Sequence, residues 1–557
     1  MTIYPHLLTM VRSKILNPFF LGIWFLFSFS GFAQSKKYVV YFKDKQGLNP
    51  FTLASPNQFL SQRSIQRRIN QNLPLDSTDL PVSPSYLDSL RSRGAIVLNP
   101  LKWLNGAIID CLPNLVYSLE QLPFVKNSKP LNSRRNVDPS PRLRGKNGTQ
   151  SLEYGESFTQ NNMIGIDSMH ALGFHGEDKL IAVMDAGFRN VNNHQAFSHL
   201  FQNQRIVGVR DLVARDGSVY EDHWHGGAVL SNIAGFLPNK IIGGAYAASF
   251  YLIRSEDAPT ENEIECAYWV AGLELADSVG ADILNSSLGY STFDTQSLDY
   301  TISMLDGKTT IASKSASMAA RKGMVVVCSA GNEGNNGAWN GRISSPSDAD
   351  SILCVGAVNS VQNYASFSGK GPTADNRIKP DVVAMGGGTI VADVFSNDAI
   401  TTQNGTSFSA PVISGLVAGF WQAHPEMTAK EVIATIKNSG SNKETPNNEI
   451  GWGVPNFVRA HILSGPKPAI SSPLEIQVYP NPNIKNELFF KLVGADTSLW
   501  ARFEIYDLRG ASVMKNKVLF DSQHLIHKVD LKSFKSGLYN IKMEMGGKIS
   551  LKKIVIQ

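Results

Sequence analysis

The chain has 557 residues, 43% hydrophobic and 18% charged, which excludes both a single small core and a disordered polymer. Its four cysteines, Cys111, Cys266, Cys328 and Cys354, lack the close spacing of a disulfide or zinc framework. The net charge is +5, but residues 35–150 alone hold 17 Lys and Arg against 7 Asp and Glu. The basic surplus belongs to one segment, so the chain as a whole does not read as a nucleic-acid binder.

Residues 1–33 have the pattern of a secretory signal peptide. Arg12 and Lys14 precede an apolar run from Phe19 to Phe32, and Gly31-Phe32-Ala33 is a small-x-small cleavage site. The alternative is a membrane anchor, but the run is short for a span of ~20 residues. No other candidate appears, so no transmembrane span is expected once the signal is cleaved.

Residues 34–130 read as a small α+β unit. Strands are expected over 37–42, 95–98 and 106–109, and helices over 59–68 and 84–93. From Asn127 to Gln150 the chain is polar, with Pro139, Pro141, Arg134, Arg135, Arg142 and Arg144. That composition suits a linker, and residues 131–159 are assigned as a basic linker and processing region.

Residues 160–460 alternate short apolar runs with helical patterns. The runs at 180–184, 283–284, 324–328 and 352–355 show little polar alternation, as strands buried on both faces of a parallel sheet do. A helix is expected over 261–279, with Thr260 and Glu263 as a capping box and Gly280 as its stop. Another is expected over 407–420. The fold class is α/β, a doubly wound parallel sheet, whose ligands sit at the carboxyl ends of the strands. Cys328 and Cys354 fall on neighbouring buried runs; they suit small core residues, and a bridge between them stays open. A linker follows at 464–473. Residues 474–557 then show short strand patterns at 489–493, 503–506, 525–529, 538–543 and 549–556, which suit a β-sandwich.

Four residues in this frame carry chemistry. Asp185 ends the run 180–184, where a carboxylate can orient an imidazole. His225 opens His225-Gly226-Gly227-Ala228; the nearby His223 is expected to be a solvated loop residue. Asn332, in Ala330-Gly331-Asn332-Glu333-Gly334, follows the strand 324–328 and carries an amide donor. Ser407 lies in Gly405-Thr406-Ser407-Phe408-Ser409-Ala410-Pro411 at a helix start, where backbone N–H groups are free to bind an oxyanion. Gly307-Lys308-Thr309 has the end of a P-loop, but residue 302 is Ile where that motif needs Gly. No serine sits in a G-x-S-x-G elbow.

The order Asp185, His225, Asn332, Ser407 resembles that of the subtilisin-like serine peptidases, and the resemblance covers about 160–458. Two positions depart from it: Ala186 stands where the family often has Ser or Thr, and Gly227 where Thr is usual. The resemblance implies a secreted serine endopeptidase with the triad Asp185, His225 and Ser407. It further implies Asn332 as oxyanion donor, and Ser287, Leu288 and Gly289 as the strand that pairs with substrate. Glu333 would lie near the rim of the pocket for the residue before the scissile bond. Protein or peptide substrates are implied, with residues 34–130 as an inhibitory propeptide and the chain as a zymogen. No cofactor or catalytic metal is implied; calcium binds many relatives but is not readable here. The segments Val478-Tyr479-Pro480-Asn481-Pro482, Ile505 to Gly510 and Ser536 to Ile541 resemble the C-terminal sorting domain of the type IX secretion system of Bacteroidetes. That resemblance implies the secretion machinery as a partner and export through the outer membrane, to the medium or the cell surface. The competing reading is a catalytically inactive surface binding or adhesion protein that keeps the fold, for which Ala186 and Gly227 are the support.

Overall fold

Alternation along residues 36–42 sets how the N-terminal unit is built. In the computed structural model Tyr38, Val40 and Phe42 point to one face of a strand and Val39 to the other, and all four are buried. The structure describes residues 34–132, 154–337, 339–464, 475–483, 486–493, 499–520, 526–545 and 548–557. The signal at 1–33 lies outside them, as do most of the linkers expected at 131–159 and 464–473.

The N-terminal unit is an antiparallel sheet of order β2-β3-β1-β4, made of β1 (Lys36–Phe42), β2 (Ile96–Leu101), β3 (Gly106–Cys111) and β4 (Val125–Leu131). Helices α1 (Gln62–Asn70), α2 (Pro84–Ser92) and α3 (Pro113–Glu120) accompany it. Proline at the first position of α2 and of α3 presets the backbone for a helix start. One sheet face packs on Leu87 and Leu90 of α2. The other, through Val39, Leu101, Ile108 and Leu131, joins the core of the next domain. Residues 127–131, whose polar composition suits a linker, are part of the edge strand β4. Its middle carries lysines and Pro130, typical of an edge and poor as a strand signal.

The central domain is a seven-stranded parallel sheet. Its strands are β5 (Leu180–Asp185), β6 (Ile206–Asp211), β7 (Ser249–Arg254), β8 (Ile283–Ser286), β9 (Val325–Ser329), β10 (Leu353–Val358) and β11 (Val382–Met385). Their spatial order is β11-β10-β9-β8-β5-β7-β6. On one face pack α4 (His225–Ala234) and the later helix Thr406–Ala423; on the other lie α5 (Glu263–Val279) and α6 (Ile311–Arg321). The N-terminal unit covers the second face. Helix α5 starts two residues later than expected. Asn262, not Thr260, is its cap: the Glu265 side chain accepts the Asn262 N–H at 2.6 Å and Asn262 in turn accepts from the Glu265 backbone. The Thr260 hydroxyl instead closes a turn on the Asp257 carbonyl. Gly280 ends the helix at φ +88°, where a side chain would be strained.

The C-terminal domain is a sandwich of a three-stranded sheet (Glu475–Tyr479, Glu487–Val493, Ile526–Asp530) and a four-stranded one (Leu499–Tyr506, Ser512–Phe520, Gly537–Met545, Lys548–Ile556). Phe490 and Phe503 meet edge to face at 4.5 Å between the sheets. Ser512–Phe520 was not expected as a strand; it is an exposed edge bearing Lys515 and Lys517.

Candidate active site

Asp185 is the last residue of β5, a strand with all six residues buried. Its Oδ1 accepts the Ala186 N–H at 2.8 Å and the His225 Nδ1 at 2.8 Å. Its Oδ2 is buried with no partner among the described residues. Ala186, which contacts the carboxylate through its backbone N–H, has no hydroxyl to add to it.

His225 can approach so closely because of the residue after it. A Cβ at Gly226 would sit 2.3 Å from the Gly187 oxygen and 2.8 Å from the Asp185 Cβ. Gly227 has a different reason: a Cβ there would meet Val394 Cγ1 at 2.9 Å. Valine packing has taken the room that the usual threonine needs, so this departure is a matter of volume. Burial by itself would lower the His225 pKa, but the Asp185 charge and hydrogen bond outweigh it and raise it above the ordinary histidine value. His223 is half-buried, not solvated. Burial and the neighbouring His225 push its pKa down to about 4, and its Nδ1 accepts the His225 N–H at 3.4 Å.

Ser407 is the second residue of the helix Thr406–Ala423, which begins one residue earlier than expected and runs to Ala423. The chain enters through Gly405 at φ +148°, a conformation open to glycine. An N–H at the second helical position has no intrahelical acceptor. Pro411 lies four residues on and has no N–H to give the Ser407 carbonyl. The Ser287 hydroxyl fills that gap, donating to the Ser407 carbonyl at 2.8 Å, while the Ser407 hydroxyl donates to the Ser287 carbonyl at 3.2 Å. Asn332 Oδ1 accepts the Thr406 N–H at 2.9 Å. This fixes the amide and turns its NH₂ away from that bond. The His225 and Phe408 rings are 5.6 Å apart, so the imidazole lies beside the same helix start.

Ser287 is buried just past the end of β8, and Leu288 packs partly into the core. At Gly289 a Cβ would come within 2.1 Å of Ser344 Oγ, so a side chain there would displace the Ser344 hydroxyl. Glu333 is half-buried, and its charge helps raise the nearby Glu261 carboxyl, pushed up to about 7 chiefly by burial. Motif reading passed over Arg254. It is paired in register with Asp185 on the adjacent β7, and its guanidinium contacts Asp222 at 2.8 Å and Asp211 at 3.1 Å. Asp222 leads into His223 and His225, so this cation ties that approach to the sheet; its only sequence signal was its place at a strand's carboxyl end.

All four cysteines are buried free thiols. Cys328 and Cys354 are register neighbours on β9 and β10 without a bridge, and burial pushes the Cys354 thiol up to about 12. Among the described residues no group of three or more His, Cys, Asp or Glu side chains could hold a metal ion, and no helix is long and apolar enough to cross a membrane.

Three family models match the chain. Residues 37–144 match the peptidase S8 propeptide domain of Bacteroidota, 176–453 the subtilase family, and 477–557 the secretion system C-terminal sorting domain. Subtilisin E of Bacillus subtilis (strain 168) is 30% identical over 295 residues, which cover 52% of this chain and 67% of that protein. Subtilisin DY of Bacillus licheniformis is 28% identical over 285 residues, 50% of this chain and 90% of the relative. The subtilisin of Bacillus pumilus is 29% identical over 295 residues, 52% and 92%. The sorting domain marks the chain for export through the outer membrane. With a parallel sheet that gathers Asp185, His225, Asn332 and Ser407 at one end, an N-terminal unit of the propeptide type and subtilisins as relatives, the chain belongs to the subtilase family and is a serine-type endopeptidase.

Proposed function

We propose that the exported chain hydrolyses peptide bonds through an acyl-enzyme formed on Ser407. The observation that carries this reading is the 2.8 Å bond between His225 Nδ1 and buried Asp185, set beside the helix start that holds Ser407. The Ser407 hydroxyl leaves the Ser287 carbonyl and attacks the peptide carbonyl, and neutral His225 takes its proton through Nε2. The displaced carbonyl electron pair forms an oxyanion, held by the Asn332 NH₂ and the Ser407 N–H. Collapse breaks the C–N bond, and His225 gives its proton to the leaving amine. Water, activated by the same imidazole, then releases the acid. Asp185 fixes the tautomer and stabilises the imidazolium. The substrate backbone pairs with the stretch Ser287-Leu288-Gly289. No cofactor enters any step. The N-terminal unit inhibits the enzyme until it is cut away, and the sorting domain engages the secretion machinery.

A fluorophosphonate probe followed by peptide mapping tests the reading. Label is expected on Ser407 and is expected to be lost in His225→Ala. A folded, processed protein that takes no label would move the assignment to an inactive binding protein.

A further inference from the structure

We propose that the cavity between the N-terminal unit and the peptidase domain is a binding site for a small oxyanion. This inference does not rest on the catalytic reading. The cavity has a volume of about 650 Å³, and its walls come from both parts: Trp103 from the turn between β2 and β3, Ser315 and Arg321 from α6, and Arg377 from the loop before β11.

The polar atoms of this wall are unequally satisfied. Trp103 Nε1, Ser315 Oγ, and Arg377 Nη1 and Nη2 are buried with no hydrogen-bond partner among the described residues. Ser315 is only 2% exposed. All four atoms can donate, and three of them can do nothing else. Buried donors without acceptors are costly, and native proteins seldom keep several together. A ligand rich in acceptor oxygens would satisfy them.

The carboxylates on the wall are mostly spent elsewhere. Asp375 binds Arg377 through Nε, at 3.0 and 2.9 Å, leaving the two terminal nitrogens of the fork. Asp306 accepts the N–H groups of Lys308 and Thr309 and the Thr309 hydroxyl, which hold its pKa below the usual carboxylate value despite some burial. Asp350 is exposed at the edge, where Lys308, Lys314 and Arg321 are exposed as well. Gly307 lets the guanidinium lie against the backbone, since a Cβ there would be 2.8 Å from Arg377 Nη2. A guanidinium fork, an indole N–H and a hydroxyl, with lysines at the mouth, is donor chemistry suited to phosphate or carboxylate oxygens.

Trp103 belongs to the propeptide-type unit, so the complete site exists only while that unit is docked. An oxyanion bound there stabilises the joined form in proportion to its occupancy and opposes release of the unit.

The test is isothermal titration of the full-length Ser407→Ala chain with inorganic phosphate, and in parallel with acetate, at constant ionic strength. Saturable binding is expected. Preference for phosphate or for acetate identifies a tetrahedral or a planar oxyanion. Trp103→Phe keeps the ring and removes only the N–H, and Arg377→Gln removes the fork; each is expected to weaken binding by about tenfold or more, as loss of a charge-assisted or buried hydrogen bond does. Absence of binding by either anion, or binding unchanged in both variants, would overturn the proposal. Thermal melts without anion establish that the variants are folded. If the chain proves unable to cleave peptides, the unsubstituted protein serves in the same titration.

Discussion

Ser287 and Ser407 exchange hydrogen bonds across the site, each hydroxyl donating to the other's carbonyl. The exchange exists because Pro411 leaves the Ser407 carbonyl without its helical donor. Ser287→Ala is therefore expected to destabilise the protein by about 1–3 kcal/mol, the cost of a buried acceptor left unpaired. The Ser287 carbonyl remains for the Ser407 hydroxyl, so fluorophosphonate labelling should persist. Denaturant unfolding and probe labelling together check this; lost labelling with unchanged stability would contradict it.

The raised pKa of His225 separates the pH dependence of activity from that of stability. The base must be neutral, so kcat/KM should fall as pH drops through a value above the ordinary ~6.5. Stability runs the other way. A pKa raised in the folded state contributes stability that is full below the unfolded value and lost as pH rises through the folded one. A pH profile of kcat/KM, with melts of Ser407→Ala on both sides of the activity transition, should show the two trends opposed.

Gly227→Thr would restore the residue usual in the family, yet it is expected to be harmful here. The new Cβ would meet Val394 Cγ1 at 2.9 Å and the Arg189 oxygen at 3.3 Å, an overpacking cost of about 1–3 kcal/mol. Val394→Ala should recover part of that loss. Unfolding free energies of the two single variants and the double variant measure the coupling.

At the docked face, Asp277 of α5 receives Arg67 and Arg68 of α1, and Lys102 at 2.8 Å. Burial alone would raise its pKa, but these cations hold it well below the carboxylate range. Asp277→Asn would leave buried Arg67 and Lys102 without their anion, while Arg68 keeps Asp79 at 2.7 Å, at a cost of about 3–5 kcal/mol. The N-terminal unit should then inhibit the peptidase at least ~10²-fold more weakly. The rate at which the cleaved unit leaves the peptidase, followed as the rise in activity after processing, reads this directly. Because the depressed pKa contributes stability above the unfolded value of ~3.9, this ion cluster should fail only in strong acid. Neighbouring Glu274, which accepts the Lys102 and Trp103 N–H groups and is pushed up to about 7 chiefly by burial, makes the docked face itself sensitive to pH near neutrality.

How much was legible in the sequence depended on burial. The runs 180–184 and 324–328 are buried on both faces and carry an uninterrupted apolar signal, so β5, β9 and the residues at their ends were found. The strands Val125–Leu131 and Ser512–Phe520 lie at sheet edges, where lysines replace the apolar pattern. The cap of α5 slipped because Thr260-x-x-Glu263 and Asn262-x-x-Glu265 both have capping-box spacing, and only coordinates reveal which pair closes. His223 was misjudged because its burial arises from the chain folding back over Gly187, which spacing does not encode. The reason for Gly227 lay in Val394, distant in sequence.

The sheet of the N-terminal unit has two apolar faces and helices of its own for one. While docked, Val39, Leu101, Ile108 and Leu131 lie in the peptidase core, worth roughly 1.5–3 kcal/mol for each side chain kept from water. Once detached, the unit would carry that face bare beside an active protease. On the proposed maturation, unfolding, aggregation and digestion would then all remove it from the equilibrium, and its release would work as a ratchet: the enzyme, once freed, would have no intact inhibitor to return to.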